Sequence, residues 1–332
     1  MPNPLYHPPV AELLNYGAHS GNRLQDWPDY VQELALTAEH IPELIQMAQD
    51  ERLWQLFFSE PDDDSDILER EGWDLDIAFW APIHAWRALG QLRAAEAVKP
   101  LAYVLERWDV EWCWEELPEV FGLIGADAIQ PLDELLAENP NDRAENARDL
   151  GYSSKITLVS GLTQIVQNFP AERDRCVEVL ARHLSNYENQ HISLNGSLVT
   201  GLYKLKALEA VPVMEAAYTA GKVDEMFVGS WARVQVDLGL KQESDFTAEE
   251  LAIHHTPEQA KLLANIRASF NQRKPSAFEQ GLPVQRETFR FDKPPSFKDI
   301  AAASGSQKSS HTSGFGQSSK PNSQKGRKKK KK

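Results

Sequence analysis

One phrase recurs in this chain and constrains its fold more than any other feature: an apolar helix end, a short turn of small residues, and a second helix opened by proline. Residues 89–101 read LGQLRAAEAVKPL and residues 121–132 read FGLIGADAIQPL. A weaker copy, LYKLKALEAVPV, spans 202–213, and a weaker one still, AEHIPEL, spans 38–44 with Pro42 in the proline position. Proline has no N–H and holds φ near −65°, so the first turn of a helix tolerates it. Pro100, Pro131 and Pro212 are therefore expected at equivalent places, each at the start of a second helix.

Pro100 and Pro131 are 31 residues apart, and Pro131 and Pro212 are 81 apart. The longer gap fits two units of about 40 residues, the middle one lacking its proline. Its helices are expected over 155–168 and 171–187. Apolar residues at helical spacing run through the body, without strand-like alternation bounded by turns. Helix pairs repeating at roughly 30 to 47 residues, none able to bury its apolar face alone, point to an α-solenoid of HEAT or armadillo type. The unit lengths vary too much for a tetratricopeptide array, whose period is about 34. The predicted fold is all-α: an N-terminal helical region over 1–78, HEAT-like repeats over 79–245, capping helices over 246–274 and a disordered tail over 275–332. In the capping region Thr247 is placed to N-cap a helix, and 257–273 reads as a helix closing the stack. Residues 301–332 are rich in Ser, Gly, Gln and Lys, a composition that buries too little apolar surface to offset ordering entropy.

Residues 89–101 and 121–132 resemble the HEAT repeats of phycobilisome (PBS) lyase HEAT-like proteins. The fuller string is similar to a group of bacterial HEAT-repeat proteins. It comprises YHPPVAELLNYG from Tyr6, WPDY from Trp27, EHIPELIQMAQDE from Glu39, WAPIHAWRALGQL from Trp80, ELPEVFGLIGADAI from Glu116 and VQVDLGL from Val234. This match covers about residues 1 to 240, and the group carries no assigned chemistry. The resemblance implies a helical-repeat scaffold or, through the lyases, an enzyme or enzyme subunit that attaches or detaches bilin chromophores. Some relatives end in a Cys-rich, SEC-C-like metal-binding tail; this chain has no Cys after Cys176, so the resemblance carries no metal site here.

Charge divides the chain. Residues 1–270 hold 45 Asp and Glu against 20 Lys and Arg, whereas 301–332 hold nine Lys and Arg and no acid. An acidic body repels phosphate backbones, so contact with RNA, a ribosome or DNA would have to run through the tail. Arg327, Lys328, Lys329, Lys330, Lys331 and Lys332 form its electrostatic end, which provides affinity without sequence readout. An acidic protein partner, or the acidic body itself, would attract the same lysines. No run approaches the ~18 apolar residues of a membrane span. The N-terminal MPNPLYHPPV has neither the basic region nor the apolar stretch of a targeting signal. With two isolated cysteines, Cys113 and Cys176, the expected compartment is the reducing cytoplasm.

Candidate site residues are few. His84, Arg87 and Gln91 share a helix face, either as a polar contact site or as an ordinary solvated face. Seven of the nine Trp fall between Trp54 and Trp114, and residues 108–116 read WDVEWCWEE. There Trp108, Trp112 and Trp114 are interleaved with Asp109, Glu111, Glu115 and Glu116, which suits a basic peptide; Trp108, Asp109, Glu111 and Trp112 are the expected contact residues, and Trp108 and Trp112 share a face if the segment is helical. The same rings could equally fill gaps between helical layers. Asp62, Asp64 and Asp66 imitate the opening of an EF-hand loop, but Ile67 and Trp73 stand where Gly and Glu are needed. There is no GxSxG elbow, no phosphate loop and no Cys–His pair close in sequence, and Cys113 reads as a small buried hydrophobe. The leading expectation is a non-catalytic scaffold that binds a protein or basic peptide, without metal or cofactor, with the tail adding electrostatic attachment.

Overall fold

The computed structural model describes residues 6–18, 24–56, 73–108, 110–138, 151–255 and 257–272, which fall within one unit spanning Met1–Ser276. Every regular element among the described residues is helical. The N-terminal region carries short 3-10 turns and the helices α1 (Tyr30–Glu33), α2 (Ile41–Ala48), α3 (Glu51–Gln55) and α4 (Leu75–Ala78). Two interleaved series follow. The first comprises α5 (Ala81–Gln91), α7 (Glu111–Ile124), α9 (Tyr152–Asn168) and α11 (Ile192–Lys204). The second comprises α6 (Val98–Arg107), α8 (Ala126–Ala137), α10 (Arg173–Leu184) and α12 (Val211–Thr219). Within each series every helix packs on the next, and α2 packs on α5 and α6. Helices α13 (Trp231–Asp237) and α14 (Pro257–Gln272) complete the described chain.

Local chemistry explains the turns. At the end of α5, Arg93 N–H bonds to Gly90 O and Ala94 N–H to Leu89 O, with Arg93 at φ 54°. At the end of α11, Lys206 at φ 49° and Ala207 repeat these bonds to Tyr203 and Leu202. This is a Schellman closure, which satisfies carbonyls that the helix end would otherwise leave open. A 3-10 turn then leads into α6 and α12, and Pro100 and Pro212 lie in the first turn of these helices, as Pro42 does in α2.

Pro131 departs from its expected place, because it is the sixth residue of α8. In that unit Gly125 makes the whole reversal at φ 82° and ψ −140°, so α8 begins directly at Ala126. Only glycine occupies that backbone region readily. The expected helix start at Thr247 is a single turn. Thr247 and Glu250 exchange cap hydrogen bonds, but no helix follows. The 275–332 tail lies outside the described residues.

Packing between neighbouring first-series helices is close where side chains are small. A Cβ at Gly161 of α9 would stand 2.8 Å from the Phe121 ring of α7. The same absence of space surrounds Gly125, where a Cβ would meet Phe169 at 2.7 Å, whereas Gly221, also left-handed at φ +65°, has nothing within 4 Å. Gly125→Ala should therefore be destabilised by added backbone strain of about 1–3 kcal/mol plus an overpacking penalty of similar size, and Gly221→Ala by the strain alone. Urea denaturation of both variants checks the ordering; equal losses would remove Phe169 contact as the constraint.

Candidate binding surface and the polar cluster beneath it

Helix α5 brings His84 and Arg87 to the interior. All ten residues from Ala81 to Gly90 are buried, with His84 at 0% and Arg87 at 1% exposure. Both expectations for this face, contact site and solvated surface, are corrected. The N-terminal segment covers it: Tyr30 N–H donates to Gln91 Oε1 at 2.9 Å, and Gln91 Nε2 donates to Pro28 O at 2.7 Å. His84 Nε2 lies 2.8 Å from Gly17 O, which only accepts, so Nε2 carries hydrogen. His84 Nδ1 is 2.6 Å from the Tyr30 hydroxyl, which donates to it when the imidazole is neutral. Burial pushes the Tyr30 phenol well above its usual value, against the opposing pull of Arg87.

Arg87 is the centre of this cluster. Its Nε and Nη2 donate to the two carboxylate oxygens of Glu116 on α7 at 2.8 and 2.5 Å, and Trp86 Nε1 donates to the same carboxylate at 2.9 Å. The guanidinium also lies 5.1 Å from the centre of the Trp27 ring. Burial alone would lower the pKa of Arg87, but the Glu116 carboxylate outweighs it and the net direction is upward. The sequence reading missed Glu116 as the partner, because nothing in the spacing of His84, Arg87 and Gln91 shows that the face is buried; once Arg87 is buried, a carboxylate from elsewhere in the chain is required.

The other face of α7 is open. The helix begins at Glu111, and Trp108 is the extended residue ending α6, so Trp108 and Trp112 stand on different elements and share no helix face. Trp108 is half-buried, stacked on Trp54 with centroids 5.9 Å apart and covered by the Arg107 guanidinium at 5.6 Å. Trp112, also half-buried, meets Trp80 edge to face at 4.9 Å. Glu111 is exposed, and Asp109 lies outside the described residues, as do Asp62, Asp64, Asp66 and the basic end from Arg327 to Lys332. Trp114, the third ring of that segment but not one of the expected contact residues, is 47% exposed between Glu111 and the exposed Glu115. Trp54 and Trp86 belong to the core and the partly buried Trp80, Trp108 and Trp112 pack against it, whereas Trp114 is the exposed ring of the segment and lies outside the core. Pro118, four residues on, has no N–H to close on the Trp114 carbonyl, so one intrahelical hydrogen bond is missing there although the helix runs on to Ile124.

The chemistry elsewhere is quieter. Cys113 and Cys176 form no disulfide and are buried, and burial pushes the Cys176 thiol up to about 12, far from a reactive thiolate. No group of three or more His, Cys, Asp or Glu among the described residues is placed to hold a metal ion. No described helix is long and apolar enough to cross a membrane. A cleft of about 380 Å³ lies between the turns opening α6 and α8, but its cations are paired within the chain, Lys99 to Glu134 and Arg175 to Glu172, both at 2.6 Å. No protein-family model, curated protein or solved structure matches this chain. The chemistry of the surface is therefore the ground for a functional reading.

Arg87→Met or Glu116→Met alone strands the opposite charge and should cost about 3–5 kcal/mol, while the double replacement costs far less than the sum. A double-mutant cycle by urea denaturation measures this, and additive losses would mean the pair is not coupled. At the N-terminus, Asp50 accepts from the Tyr6 hydroxyl at 2.6 Å and from Arg52 at 2.7 and 3.0 Å. Burial would raise the Asp50 carboxyl, but Arg52 and Tyr6 outweigh it and hold it below the usual carboxylate value. Its contribution is thus complete above the ordinary Asp value near about 4 and is lost as pH falls through the lower folded value. Asp50→Asn should be less stable than wild type at neutral pH, with the gap narrowing below about pH 4 in urea midpoints measured across pH.

Proposed function

We propose that this chain is a non-catalytic HEAT-like scaffold, an α-solenoid, that binds a protein or peptide partner carrying basic residues, with the Lys-rich end adding electrostatic attachment. The observation that carries the reading is Trp114: a large ring 47% exposed, outside the core, between two exposed carboxylates on an acidic body. An exposed tryptophan flanked along its helix by two acids has little value to the fold and considerable value to a cationic partner. The solenoid reading is supported by the two series of helices, each packed on the next, and by the recurring Schellman turn. Stacked helix pairs of this kind offer extended surfaces for recognition. The HEAT-like resemblance agrees with this reading without naming a partner.

The test is capture of partners from lysate by full-length protein, by a version ending at Lys274 and by Trp114→Ala, at low and moderate salt. A partner with a basic contact segment retained by the first two and lost with Trp114→Ala is the expected result. RNA recovered only by the full-length chain, and lost with salt, would instead assign the function to the tail. Recovery unchanged by Trp114→Ala would remove this surface from the mechanism.

A further inference from the structure

We infer that the α7 surface selects arginine over lysine: a partner's guanidinium lies on the Trp114 ring while its N–H groups reach the Glu111 carboxylate. The inference rests on the proposed basic-partner reading and specifies which cation is read. Its first ground is geometric. Glu111 and Trp114 are three residues apart in one helix and therefore share a face, and both are exposed. An aromatic face and a carboxylate are thus presented side by side.

The second ground is how this molecule already handles its own cations. Three cation–π contacts among the described residues are made by arginine: Arg87 on Trp27, Arg93 on Phe169 and Arg107 on Trp108, at 5.1, 5.2 and 5.6 Å. The two on tryptophan each add a carboxylate, Glu116 for Arg87 and Glu51 for Arg107. The lysines behave differently: Lys99 and Lys222 pair with Glu134 and Glu188, and Lys155 donates to the carbonyls of Leu136 and Glu138. The difference is one of shape. A planar guanidinium stacks flat on an indole and still directs its in-plane N–H groups to a carboxylate, whereas an ammonium is a compact, strongly hydrated point charge that cannot stack. Trp114 with Glu111 presents the tryptophan and carboxylate halves of that arrangement, and charge complementarity with the acidic body calls for the cation from outside.

The experiment uses full-length protein labelled with nitrogen-15 at the tryptophan indoles, with Trp114→Phe identifying the Trp114 resonance. It is titrated at low ionic strength with glycine-spaced peptides of one sequence bearing arginine, lysine or neutral citrulline. The expected result is a shift of the Trp114 resonance with the arginine peptide and binding at least about fivefold tighter than for lysine. Citrulline should not bind, and Glu111→Gln should weaken arginine more than lysine. Equal affinity for arginine and lysine, lost together in Trp114→Ala, would overturn the selectivity while leaving a basic partner in place. Binding of neither cationic peptide would overturn the basic-partner reading itself, and binding that survives Trp114→Ala would overturn the site. Because Trp114 lies outside the core, the variants should keep the wild-type circular dichroism melt; a collapsed melt would return Trp114 to a structural role and overturn the inference.

Discussion

The ion pair between Arg87 and Glu116 is the contact on which the arrangement of the described chain depends. Neither charge reaches water, so each is tolerable only because the other is held in hydrogen-bonding range. The pair joins the first two helices of one series, and through Trp27 and Tyr30 it also engages the segment that precedes them. Three separate stretches of chain must therefore arrive together, and an apolar core alone would not impose that register.

The same pair bears on the surface above it. Glu116 and Trp114 are two residues apart on α7, so directing the first inward turns the second outward. Helix α7 is held by Glu116, Cys113, Leu117 and Val120 on its buried side, which leaves Glu111, Trp114 and Glu115 as its solvent face. The rings around it divide the work. Trp54, Trp86 and Trp108 fill space between elements, Trp80 and Trp112 brace each other, and Trp114 stays exposed. Recognition built on a rigid helix face loses less entropy on binding than recognition by a loop.

Much of the helical class was legible in the sequence because its signals are local. Proline in a first turn, small residues at a reversal and apolar spacing near 3.6 act within a few residues of themselves, and α2, α6 and α12 begin where those signals place them. Pro131 shows the limit. The phrase around it matches its relatives, yet Gly125 makes the reversal earlier and leaves the proline inside the helix. The candidate surface was legible as a region, residues 108–116, but not by residue. A break between Trp108 and Glu111 put the two expected rings on different elements, and the exposed one is Trp114.

What the sequence by itself determined is the helical character, the positions of most reversals and the acidity of the body. Each follows from residue chemistry and near-neighbour geometry. Only the tertiary structure decided that α5 is enclosed. Periodicity sees a polar stripe of His84, Arg87 and Gln91 and places it at the surface, because the residues that cover it, Gly17, Trp27, Pro28 and Tyr30, lie more than fifty positions away. Burial of a charge is a property of its partners, and those partners are brought by the fold.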